Sequence, residues 1–279
     1  MPRPDGRPMV VIKGAGDLAT GVAWRLFKSG LPVVMTEIAR PLVVRRTVAF
    51  AQAVYANSFT VQGVTAVLAD NAAGIDPVLA HGQIPLLIDP EARIISQVKP
   101  DILVDAIMAK RNVNTSNDNA SLVLALGPGF TAGKDCHAVI ETKRGHDLGR
   151  VIWRGSAAPD TGIPEAVNGY AAKRLLRAPT GGKVEPLCHI GDVVKEGYPV
   201  ARVDGVPVMA EMDGVCRGMI QAGIVVKKGT KIGDIDPRKI REYCYSISDK
   251  ALSVGGGVLE AVFGHLLGNG GYAIAESEY

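Results

Sequence analysis

Short apolar runs alternate with glycine-rich turns along the first half of the chain. Met9–Lys13 is rich in branched apolar residues, the pattern of a strand covered on both faces. Gly14-Ala-Gly16-Asp17-Leu-Ala19 follows, and from about Leu18 to Ser29 the residues Leu18, Val22 and Leu26 share one helical face. Gly30 ends that helix, and Pro32–Glu37 supplies a second strand. Further strand-like runs are Val64–Leu68, Ile84–Ile88, Ile102–Ile107, Leu122–Leu126 and His137–Thr142, with helical or turn-like segments between several of them. This alternation predicts an α/β, Rossmann-like domain over residues 1–177, a doubly wound, mostly parallel sheet with helices on both faces.

From about residue 180 the pattern changes to short strands punctuated by glycine. Shifting the sequence by 32 residues aligns Gly182 with Gly214, Gly191 with Gly223, Val194 with Val226, Gly197 with Gly229 and Asp204 with Asp236. An ungapped repeat of this kind marks two copies of one β unit. Its spacing resembles the sandwiched barrel of biotinyl and lipoyl carriers, so residues 178–237 are expected to form a small barrel-sandwich-hybrid-like module. The segment joining the halves, Arg202–Asp213, holds no lysine, so covalent lipoyl or biotin attachment is not expected. Residues 238–279 are expected to carry a C-terminal helix, Val258–Leu267, docking on the first domain, with a frayed tail from Gly268 to Tyr279.

Composition narrows the function classes. Of the 279 residues, 47% are apolar and 21% charged, which suits a folded chain. A net charge of +3 without a basic run, together with 5% aromatic residues, argues against nucleic acid. No apolar run has the length of a signal peptide or a spanning helix, so a cytoplasmic protein with no membrane partner is expected. Cys136, Cys188, Cys216 and Cys244 lie 52, 28 and 28 residues apart. With no paired Cys-x-x-Cys they form neither a disulfide framework nor a zinc spacing, so no metal site is expected.

Candidate chemistry lies at the predicted carboxyl ends of the strands, where sheets of this class place their ligands. Gly14, Gly16 and Ala19 match a dinucleotide-binding turn. Gly14 would permit the tight bend, Gly16 the approach of a pyrophosphate, and Asp17 opens the helix that faces it. Glu37, 21 positions after Gly16, would accept from a ribose hydroxyl and favour NAD over NADP. Arg40, Arg45 and Arg46 could instead take a 2′-phosphate or another anion. The competing reading keeps the glycine turn for packing alone.

At other strand ends stand Asp89, and Asp105 with Lys110 and Arg111, the polar centre expected to carry any catalysis. Gly127 and Gly129, in GPGFTAG, would form a second backbone anion site or a plain turn. His137 with Glu141, and His146 with Asp147, could act as acid–base pairs or be ordinary surface residues. Cys136 would be a sulfur or selenium carrier only if exposed with a lowered pKa. Three glycines at 255–257 precede the predicted helix as a further anion-binding entry or a close packing point.

The runs VIKGAGDLATGVAWRL, TEIARPLVVRRTVAFAQAVY, DAIMAKRN, LGPGFTAGKDCHAVIETKRGHDLGRV and ISDKALSVGGGVLEA resemble the YqeB family, associated with the selenium-dependent molybdenum hydroxylase system. The resemblance covers about residues 9–265. It implies an accessory role in maturing a molybdenum hydroxylase, with that enzyme or its cofactor-insertion proteins as partners. The implied cofactor is NAD(P) or a molybdopterin dinucleotide. The alternatives are an NAD-dependent oxidoreductase, motivated by the glycine turn and Glu37, and a non-enzymatic binding scaffold.

Overall fold

The computed structural model describes residues 6–160 and 168–269. Strand β1 (Val10–Lys13) runs through the glycine turn into helix α1 (Asp17–Lys28), which leads to β2 (Val33–Glu37). A short helix α2 (Ala53–Ala56), β3 (Ser58–Val61), β4 (Val64–Ala69), α3 (Ile75–Ala80), β5 (Ile84–Ile88), α4 (Ile94–Val98) and β6 (Ile102–Asp105) follow. Then come β7 (Leu122–Leu126), β8 (Ala138–Ile140) and β9 (Val151–Ile152). These nine strands form one sheet in the order β3-β4-β5-β2-β1-β6-β7-β8-β9. Neighbouring pairs from β4 to β8 are parallel, whereas β3 and β9 close the edges antiparallel.

Burial explains the apolar runs. Val10 and Ile12 point to one core with α1, and Val11 points to the opposite core with Ile75, Ile94 and Phe130. Successive residues of one strand face opposite sides of the sheet, and both sides are covered, so the run is continuous rather than alternating.

The remaining strands are β10 (Leu175–Arg177), β11 (Gly182–Pro186), β12 (Val193–Val194), β13 (Pro199–Val203), β14 (Val206–Met209), β15 (Gly214–Met219), β16 (Val225–Val226) and β17 (Lys231–Asp236). They build two four-stranded sheets, β10-β17-β15-β12 and β14-β13-β11-β16. Each half of the repeat lends its first strand to the other: β11 pairs with β16, and β12 with β15. Asp204 (φ 45°) and Gly205 (φ 80°) form the two-residue turn between β13 and β14, left-handed at both positions as such hairpins require.

The expected fold class needs correction. A doubly wound Rossmann-like sheet would carry a helix at each crossover, but the connections from β6 to β7 and from β7 to β8 carry no α-helix. The sheet is mixed, with antiparallel edges. The second region is not a self-contained barrel-sandwich-hybrid-like module either. It is two antiparallel sheets, and one of them recruits β10 from outside the repeat.

The last helix, α5 (Asp249–Gly264), starts nine residues before the expected Val258 and is capped by Ser248, whose hydroxyl accepts from Ala251 N at 3.2 Å. Gly255–Gly257 therefore lie inside it, not at an anion-binding entry. They allow contact: a Cβ on Gly21 of α1 would lie 2.7 Å from Ala251 Cβ, and one on Gly255 would lie 2.8 Å from Gly21 O. Contrary to expectation, one helical stretch, Asp249–Gly268, is long and apolar enough to cross a membrane. Here Val254, Val258, Ala261 and Val262 are buried in the core shared with α1. The tail beyond residue 269 lies outside the described residues.

Candidate functional site: a crevice at the sheet edge

A crevice of about 600 Å³ opens where the carboxyl ends of β1, β2 and β6 meet the start of α1. Its walls are Gly14 and Gly16–Ala19, Thr36–Ile38, Leu42–Arg45, Asp89 and Pro90, Ala106–Met108, Val113, and Lys231 from β17. The site is therefore composite: the nine-stranded sheet supplies most of it and the β module one cation. The segment after β2 joins the two parts. Met219 N donates to Val44 O at 2.8 Å, and Arg46 Nε to Met219 O at 2.7 Å.

Gly14 adopts φ 93°, where a side chain would be strained, and a Cβ there would lie 3.0 Å from Ala106 O. Gly16 precedes α1 without a side-chain cap, and Gly16–Ala19 line the crevice, so uncapped first-turn amides lie at its wall. The Glu37 carboxylate accepts from Ala15 N at 3.0 Å and from its neighbour Ile38 N at 2.8 Å. Burial raises its pKa above 4.5, against the lowering effect of these two amides. Glu37 thus braces its own turn.

Asp17 Oδ2 accepts from Arg45 Nη1 at 2.9 Å, while Asp17 Oδ1 and Arg45 Nε are buried without a partner. Arg45 also donates to Tyr243 O and Ser246 O, at 3.0 and 3.1 Å. Arg46 is engaged with Met219 O and Gln221 Oε1, and burial lowers its pKa. Neither guanidinium is held in reserve for a phosphate. Lys231 retains accessible surface as a residue, yet surrounding protein lowers its pKa, with desolvation ahead of the opposing Asp234 and Asp17 charges.

Beneath the crevice floor lies a charge that the sequence reading passed over. Lys13, 1% exposed, donates from Nζ to Asp105 Oδ2 at 3.0 Å, Asn114 Oδ1 at 2.6 Å and Thr115 Oγ1 at 2.6 Å. Asp105 also accepts from Thr115 Oγ1 at 2.5 Å and from Ile107 N at 3.2 Å. Three acceptors satisfy the buried ammonium and pin both ends of the 106–115 loop. The available signal was a lysine ending an otherwise apolar strand.

The expected polar centre does not converge. Asp105 is buried on Lys13, Lys110 is exposed and paired with Asp160 at 2.6 Å, and Arg111 is exposed. None of the three lines the crevice. Gly127 and Gly129, at φ 71° and 105°, are also outside it. A Cβ on Gly127 would strike Thr142 Oγ1, and one on Gly129 the Lys110–Arg111 backbone, so these glycines let two loops stack. Of the predicted ligand residues, Gly14, Gly16, Asp17, Ala19 and Glu37 are brought together.

Of the other acid–base candidates, His146 is exposed, and the remaining three have partners. His137 Nδ1 accepts from Val123 N at 2.9 Å, and Glu141 accepts from Lys143 N and Ala158 N, both at 2.7 Å. Asp147 pairs with Arg150 at 2.9 Å. Cys136 is fully buried and its thiol is pushed up to about 12, chiefly by burial, which removes it as a carrier.

No protein-family model matches the chain. The Escherichia coli protein YqeB is 49% identical over 259 residues, which is 93% of this chain. Over that length the chain belongs to the YqeB family. It spans about half of that relative, 48% of its length.

Among solved structures it is similar to an aspartoacylase family protein from Mesorhizobium loti, at 14% identity and a TM-score of 0.28, covering 82% of this chain and 85% of that one. A succinylglutamate desuccinylase/aspartoacylase from Rhodobacter sphaeroides gives 15% identity, a TM-score of 0.26 and the same coverages. At these scores no activity, substrate or metal passes from them to this chain.

The functional expectation is corrected at this point. The turn itself has changed role, because Glu37 is taken by Ala15 and Ile38 and Arg45 by Asp17. NAD(P) or molybdopterin dinucleotide as cofactor, the maturation role and the NAD-dependent oxidoreductase are accordingly set aside.

Proposed function

We propose that the crevice binds a small organic molecule with an apolar body and one anionic group. The observation that carries this reading is the convergence of exposed apolar side chains on one concave surface. Ile38, Leu42, Ile107 and Val113 are 40, 52, 38 and 54% exposed, and all four line the crevice. Apolar surface left open to water in a concavity is the usual mark of a ligand site. The anionic group is argued from the rest of the lining, where the amides opening α1 and the Lys231 side chain supply positive charge. The lining carboxylates are engaged: Asp17 pairs with Arg45, Glu37 accepts from Ala15 N and Ile38 N, and Asp89 accepts from Ile94 N at 2.8 Å.

Anilinonaphthalene sulfonate, which has both features, is the probe. A fluorescence titration should show one saturable site on the wild type. Ile107→Asp should abolish it, and Lys231→Gln should weaken it about tenfold, or 1.4 kcal/mol. Circular dichroism establishes that both variants are folded. Non-saturating binding, or equal binding by folded variants, overturns the reading.

A further inference from the structure

Three of the four cysteines meet in the β module, and none of them lines the crevice. Cys188 sits in the turn between β11 and β12, Cys216 in β15, and Cys244 just before the start of α5. Backbone bonds hold the Cys188 turn against β15. Gly191 N donates to Cys216 O at 2.8 Å, and Cys216 N donates to Asp192 O at 2.9 Å. From the other side the Tyr245 hydroxyl donates to Ile190 O at 2.8 Å.

The three thiols are unequal. Cys216 and Cys244 are fully buried, whereas Cys188 keeps partial exposure and packs on the same apolar cluster. The Cys216 thiol donates to Gly218 O at 3.6 Å within its own strand. Its interaction with the neighbouring Cys188 sulfur lowers the Cys188 pKa and, with burial, raises that of Cys216. Cys244 Sγ is directed elsewhere, to Cys216 O at 3.7 Å. A partly exposed thiol, in a turn bonded to β15, thus neighbours a buried thiol of that strand, the arrangement that thiol–disulfide exchange needs in an attacking and a resolving group.

We propose that Cys188 and Cys216 are a reversible thiol–disulfide pair that reacts with low-molecular-weight disulfides. The Cys188 thiolate attacks one sulfur of R–S–S–R, forming Cys188–S–S–R and releasing R–S⁻. Cys216 then attacks the Cys188 sulfur, its proton passes to the departing thiolate, and a second R–SH leaves. The protein is oxidised by two electrons and the small disulfide is reduced to two thiols. Dithiols reverse the reaction. The pair is independent of the crevice, so either reading can fail alone.

The test uses dithiobis(nitrobenzoate) on the native chain of 279 residues. The wild type should release two thionitrobenzoates rapidly and retain no adduct. Cys188→Ser should slow the fast phase about tenfold or more. Cys216→Ala should release one and keep a mixed disulfide on Cys188, and Cys244→Ala should behave as wild type. Peptide mapping of the oxidised wild type needs no variant and should join Cys188 to Cys216. A stable adduct on wild-type Cys188, a Cys188–Cys244 link, or an undiminished fast phase in Cys188→Ser overturns the proposal.

Discussion

Replacing Lys13 by methionine should destabilise the protein far more than a typical single substitution. The change keeps an unbranched side chain one atom shorter but removes three hydrogen bonds, to Asp105, Asn114 and Thr115. It also leaves the Asp105 carboxylate, 1% exposed as a residue, without a counter-charge. Breaking a buried ion pair from one side costs about 3–5 kcal/mol, most of it the penalty of the stranded charge. At about 2–4 °C per kcal/mol for a chain of this size, the melting temperature should fall by about 6–20 °C. Asp105→Asn strands the ammonium instead and should cost a similar amount.

The double variant Lys13→Met/Asp105→Asn removes both charges. It should be more stable than the sum of the single effects predicts, by about 2 kcal/mol or more, since residues in direct contact are not additive. Urea titration of the four proteins, followed by circular dichroism, closes the cycle. The 106–115 loop supplies Ile107, Met108 and Val113 to the crevice, so each single variant should also weaken anilinonaphthalene sulfonate binding. Additive single effects, or singles below about 1 kcal/mol, would refute the argument that this pair is electrostatically isolated from water.

Adjacent glycines of α5 should respond with opposite signs. Gly255→Ala would set a Cβ 2.8 Å from Gly21 O, where backbone must move, and should destabilise by about 1–3 kcal/mol despite better helix propensity. Gly256→Ala meets nothing within 4 Å and should stabilise by about 0.5–1 kcal/mol, so thermal melts that move both variants the same way contradict the packing account. Asp249 opens α5 against the Arg144 guanidinium, at 2.5 and 2.8 Å, which holds its carboxyl well below 3.8. Its stabilisation is complete above that ordinary value and disappears as the pH falls towards the depressed one. The wild type should therefore lose its advantage over Asp249→Asn in acid, and a pH-independent difference between their melting curves would count against the pair.

Much of the strand layout was legible because a strand buried on both faces must be apolar throughout. The predicted start at Met9 falls one residue from β1, and Leu122–Leu126 coincides with β7. The 32-residue shift was equally legible, and it places equivalent residues in β12 and β16, at 193–194 and 225–226. What misled was the glycine turn. Gly14, Gly16 and Glu37 have the right spacing for a dinucleotide, but spacing does not reveal that the Glu37 carboxylate folds back on Ala15 N. Similarly, Asp105, Lys110 and Arg111 are close in sequence, yet the loop between them sends one inward and two outward.

By itself the sequence determined which segments become buried strands, where the chain turns, and that a β unit is duplicated. These properties depend on local patterning: hydrophobic period, left-handed glycine positions and self-similarity. Only the tertiary structure decided which polar groups have partners. It paired Lys13 with Asp105 across 92 residues, carried Lys231 from the β module to the crevice, and set the Cys188 turn beside Cys216. The physical reason is that a charge or thiol acquires its chemistry from its surroundings, through desolvation, a counter-charge or a donated hydrogen bond. Those surroundings are assembled from segments far apart along the chain.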